Sequence, residues 1–170
     1  MKLRTNITIN GKLHHKGDTI PWYAVYPFFL FHMLMFGGSG FFLAYADTDP
    51  DVAFLYMHGG LAIFVYIIFY LVIFGRDEVK WMFINAGLGL LGIYTQMGWI
   101  LSVFDREISD YPIHVHVIPF LYFVLYSFLL RQAVLDISHS REDETKRQRA
   151  DTSYTVILTL VYLISYFLTK

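Results

Sequence analysis

Residues 52–74 read Val-Ala-Phe-Leu-Tyr-Met-His-Gly-Gly-Leu-Ala-Ile-Phe-Val-Tyr-Ile-Ile-Phe-Tyr-Leu-Val-Ile-Phe. These 23 residues hold no formal charge, and about 20 mostly apolar residues suffice for a helix to cross a bilayer. Four further stretches of the same kind flank this one, at 22–46, 81–104, 111–131 and 153–169. Arg131, at the end of the fourth, is the one charged side chain within them, and its long stem can carry the guanidinium to the interface. The fifth stretch is short, a length that local thinning of the bilayer accommodates. The sequence therefore predicts an all-α membrane protein, a bundle of five transmembrane helices. It forms a single domain over residues 22–170, with a cytoplasmic leader at 1–21 and a charged cytoplasmic loop at 132–152, whose mixed signs from Ser138 to Asp151 suit a solvated loop or the exposed extension of a helix.

Composition narrows the class further. The chain has 170 residues, 56% hydrophobic and only 16% charged, against roughly 25% charge in soluble domains, which excludes a soluble monomer. It contains no cysteine, so disulfides, thiolate metal sites and iron–sulfur clusters are excluded with it. A net charge of −1 gives no field that would draw nucleic acid, and no nucleic-acid partner is expected.

Orientation follows from the basic residues. Eleven of thirteen fall in the leader, the second connection and the fourth connection, and the outer connections carry Asp47, Asp49, Asp51, Asp105, Glu107 and Asp110. With five crossings the N-terminus is cytoplasmic and the C-terminus outside. The compact connections point to a bacterial-type inner membrane, and nothing before Trp22 resembles a cleaved signal. Ile7 and Ile9 alternate ahead of Asn10-Gly11, a strong short-range hairpin signal, so a small β-hairpin is expected in the leader.

In lipid, small residues and a few interhelical hydrogen bonds sort the helices. Gly37, Gly40 and Ala44 form one small-residue seam, Gly59 and Ala62 another; Asn85, Gly89, Gly92, Gln96 and Trp99 share one face of the third span. Pro119 is expected to bend the fourth helix from within.

Function must then rest on neutral polar groups. Ionisable groups inside a membrane are functional candidates by default, and His32, His58, His114 and His116 are placed there. Helical rise puts His58 and His116 at a similar depth of roughly 8 Å, the arrangement a haem b would need, with His114 as an alternative ligand. His58, His114 and His116 with Asp47, Asp51 and Asp110 offer nitrogen and oxygen ligands to a divalent metal instead. His32, Asn85 and Gln96 are candidates for a polar path. The plain reading is that the histidines are interfacial groups bonded to nearby loop acids. No hydrolase elbow, zincin motif or phosphate-binding loop occurs, so no catalytic residue is assigned and an enzyme is not the expectation. The leading expectation is a structural or accessory subunit that works by helix–helix association in the lipid bilayer, with itself or within a larger complex. A haem- or metal-binding redox protein and a small oligomeric channel or transporter are the alternatives.

Overall fold

The computed structural model describes residues 3, 6–9 and 11–168. Two short strands, β1 (Ile7–Ile9) and β2 (Lys12–His14), precede six helices: α1 (Trp22–Tyr45), α2 (Val52–Phe74), α3 (Arg76–Leu88), α4 (Leu90–Ser102), α5 (Val117–Ile137) and α6 (Glu144–Leu168). The strands pair antiparallel, Ile9 opposite Lys12, as the leader predicts. Gly11 takes the left-handed conformation, φ 76°, that a two-residue turn requires; Asn10 lies outside the described residues.

Four helices among the described residues are long and apolar enough to cross a membrane: Val25–Tyr45, Val52–Phe74, Ile113–Ile137 and Glu144–Leu168. The expected single span at 81–104 takes a different form, α3 and α4 of 13 residues each, about 20 Å apiece at 1.5 Å per residue. Gly89 is the joint. Its φ of −90° and ψ of 6° leave the helical region, yet Gly89 N–H donates to Asn85 O at 2.8 Å and Ile93 N–H to Gly89 O at 3.0 Å. The two halves thus remain hydrogen-bonded end to end, a bend at a glycine. The upstream half begins at Arg76 because Asp77 and Glu78 occupy its first turn, where carboxylates favour the helix dipole.

The ends of the other helices also move from their expected places. Charged residues 144–152 extend α6, leaving only 138–143 as the connection from α5. Asp143 starts the helix by accepting from Lys146 N–H at 3.1 Å, a side-chain cap. Pro119 does not sit inside α5 as expected. It is the third residue, after a 3-10 turn over Ile113–His116, where its missing amide has no helical partner to lose.

Helix α5 supplies the middle of the fold, packed on α1, α2, α3 and α6, with Ile118, Tyr122, Leu125 and Leu129 buried. The glycine seams face it. A Cβ on Gly40 would stand 2.9 Å from the Tyr122 ring, and one on Gly59 would stand 2.4 Å from Ile118 Cγ2. Gly92 gives the same close approach of α4 to Tyr162 on α6, at 2.4 Å. Helix α6 is the peripheral element; only 6% of its most apolar 18 residues are buried.

Candidate functional site

Charged residues gather at the end of the bundle where α1, α3 and α6 begin and α2 and α5 end. Arg131 holds Asp151 through two bonds, Nε to Oδ1 at 2.8 Å and Nη2 to Oδ2 at 2.9 Å. It also reaches Glu78 Oε2 at 3.2 Å. The other Glu78 oxygen accepts from Arg147 Nη2 at 2.8 Å, and Gln132 Nε2 donates to Oε2 at 3.0 Å. Burial pushes the Glu78 carboxyl up, but the Gln132 amide and the guanidinium groups of Arg147 and Arg131 outweigh it and hold the group below the usual carboxylate range.

A second, deeper pair adjoins this one. Arg141 grips Asp136, Nε to Oδ1 at 2.7 Å and Nη2 to Oδ2 at 3.0 Å, and Arg141 Nη2 also donates to Gln132 O at 3.3 Å. Tyr26 on α1 donates its hydroxyl to the same carboxylate, and the guanidinium lies 6.0 Å from the centre of the Phe74 ring. The Asp136 side chain is only 4% exposed. Planar two-point Arg–carboxylate bonding of this kind fixes direction as well as distance, so the two pairs act as a clasp tying α1, α3, α5 and α6 together.

At the opposite end the structure gathers aromatic hydroxyls and His116. Tyr45 donates to His116 Nδ1 at 2.8 Å, and His116 Nε2 donates to Ile108 O at 3.2 Å. Both ring nitrogens of His116 are thereby occupied by the protein. Tyr111 donates to Tyr45 O at 2.9 Å and Tyr56 to His114 O at 2.8 Å, while the His114 side chain is exposed. The acids predicted to join them serve their own backbone: Asp47 accepts from Thr48 N–H at 2.7 Å, Asp51 caps α2 through Phe54 N–H at 3.0 Å, and Asp110 accepts from Glu107 N–H at 2.8 Å. Among the described residues, no three histidine, aspartate or glutamate side chains converge as a metal site.

His58 opens elsewhere. It lines a groove of about 520 Å³ between α1 and α2 that also holds His32, whereas His116 lines a cleft beside α4. His58 turns to Ser39, whose Oγ lies 3.2 Å from His58 Nε2, so the two histidines open into different clefts. The polar-path residues are not brought together either. Asn85 lines a small cavity of about 110 Å³ with Ser127, Arg131 and Tyr154, His32 lies in the α1–α2 groove, and Gln96 lines neither.

The clasp is what sequence reasoning missed. Arg131 read as a span-end residue reaching the interface and its partners as connection charges, and the one signal was the mixture of signs between Arg131 and Asp151, since a purely basic connection would have needed no internal partners. No family model matches this chain, and no curated protein or solved structure matches it.

Proposed function

We propose that the chain is a structural or accessory subunit of a membrane assembly, acting through helix–helix association, with α6 as its contact element. One observation carries this reading. The inner end of α6 is fastened by Arg131–Asp151 and Arg147–Glu78, while Thr152, Thr155 and Thr159 are exposed along one flank of the helix, beside its packed face. Small hydroxyl residues on a membrane helix favour close approach of a neighbouring helix, and a firmly held helix presents them without further ordering. Because the chain has no cysteine, Thr159→Cys creates a unique thiol for a benzophenone maleimide. Photolysis in native membranes is expected to give one discrete protein adduct from position 159 and none from a Ser165→Cys control on the packed face. Adducts to lipid alone at position 159 would overturn the proposal.

The finer threading belongs to the same proposal: five crossings of a bacterial-type inner membrane, N-terminus cytoplasmic and C-terminus outside, with α3 and α4 together making the third. Its support is the charge asymmetry and the run of α3–α4 from Glu78 in the clasp to Gly98, where a Cβ would stand 3.4 Å from Ile108, the residue bonded to His116. Thr48→Cys is expected to react with a membrane-impermeant maleimide in intact cells, and Thr145→Cys only after the membrane is opened. The reverse pattern would invert the topology.

A further inference from the structure

The two histidines of the α1–α2 groove differ from His116 in what they leave open. His32 Nδ1 lies 2.9 Å from the carbonyl oxygen of Phe28. A carbonyl only accepts, so Nδ1 carries a hydrogen, and in the neutral ring Nε2 is then a bare lone pair. At His58 the argument takes one more step. Ser39 gives its hydroxyl hydrogen to Phe36 O at 2.8 Å, so at 3.2 Å from His58 Nε2 it can only accept. His58 Nε2 is then the donor, and Nδ1 is the second bare lone pair. No hydrogen-bond donor reaches either lone pair among the described residues. Facing lipid, as the apolar helices imply, neither has water to satisfy it.

The surroundings restrict what can supply the two donors. Phe28 lies 4.1 Å from the His32 ring, and Phe36 and Phe54 lie 6.2 Å and 5.9 Å from the His58 ring, all between ring centres. Flat aromatic walls favour a flat aromatic guest, and about 520 Å³ is within the roughly 300–1,000 Å³ common for small-molecule sites. Spacing is the third restriction. The Ser39–His58 bond sets those residues level, and His32 stands seven positions earlier on α1, about 10 Å further along the groove. With its C–O–H angles bent to near 110°, a para-hydroquinone hydrogen-bonded at both ends spans about 8–9 Å between its two acceptors, on the scale of that separation.

We infer that this groove binds a lipid-soluble hydroquinone, with one hydroxyl donating to His32 Nε2 and the other to His58 Nδ1. The oxidised quinone presents only acceptors, which face lone pairs at both ends; the Tyr66 hydroxyl, also on the groove wall, serves one carbonyl at most. The site therefore selects the reduced form.

The test is anaerobic calorimetric titration of the detergent-purified protein with a decyl-tailed benzoquinol, kept reduced with dithionite, and with the matching benzoquinone. The quinol is expected to bind at least about tenfold more tightly than the quinone, and His32→Phe and His58→Phe each to weaken quinol binding by about tenfold. The redox preference is read on the unaltered protein, so it stands whether or not a variant folds. Equal or tighter binding of the quinone would overturn the inference. So would unchanged quinol affinity in both folded variants, or equal competition by a decyl alcohol with one hydroxyl and no ring.

Discussion

Asp136→Ala is expected to destabilise the folded chain by about 3–5 kcal/mol, the range for removing one partner of a buried ion pair. The substitution leaves the Arg141 guanidinium, 16% exposed, without its two-point partner, and takes the acceptor from the Tyr26 hydroxyl. Most of the loss is the cost of an uncompensated buried charge rather than the value of the bond itself. The same reasoning gives the control. Asp136→Leu combined with Arg141→Met removes both charges, and such apolar replacements are often neutral or stabilising by about 1–4 kcal/mol. Midpoints of helicity loss on titrating purified protein with denaturing detergent should therefore fall far for the single variant and recover in the double one. A single variant with an unchanged midpoint would mean that the pair contributes nothing to holding α1 against α5.

The second large effect turns on neighbouring glycines with opposite expected signs. Gly59→Ala places a methyl group 2.4 Å from Ile118 Cγ2. That atom is attached directly to Cβ of a buried, β-branched residue whose side chain is stiff in a helix, so it cannot swing aside. Helices α2 and α5 must separate, and overpacking of this kind costs about 1–3 kcal/mol. Gly60→Ala meets nothing within 4 Å, and replacing a helix-interior glycine by alanine is worth about 0.5–1 kcal/mol in the stabilising direction. Adding Ile118→Ala to Gly59→Ala removes the clashing atom and should recover part of the loss. The same detergent titration reads all three, and equal midpoints for the two alanine variants would refute the close approach.

The long apolar runs were legible because length and lack of charge are enough to identify a crossing helix, and Ile7, Ile9 and Gly11 were enough to identify the hairpin. Gly89 was not legible as a joint. Gly87, Gly89 and Gly92 all lie in that run, and which of them leaves the helical region depends on contacts that periodicity does not carry. The helical start at Glu144 was half legible: mixed charges suit a loop or a helix extension alike, and Arg131, 20 positions before Asp151, decides between them by meeting it. For the candidate site, the sequence singled out His32 and His58 by type and depth. What separates them from His116 is that each leaves one ring nitrogen bare, and that follows from partners placed by the fold: Phe28 O for His32, Ser39 Oγ with Phe36 O for His58, and Tyr45 Oη and Ile108 O for His116.

The clasp also bears on the order in which the chain is made. Glu78 and Arg131 are synthesised 53 positions apart, and both wait for α6, since Arg147 and Asp151 come later still. Until then these groups sit at a helix end near the lipid headgroups, where charge is tolerated, and the paired arrangement closes only after the start of α6 has left the ribosome. A chain stopped before residue 147 would keep the Arg141–Asp136 pair and the Arg131–Glu78 contact yet leave Arg131 and Glu78 without their partners on α6.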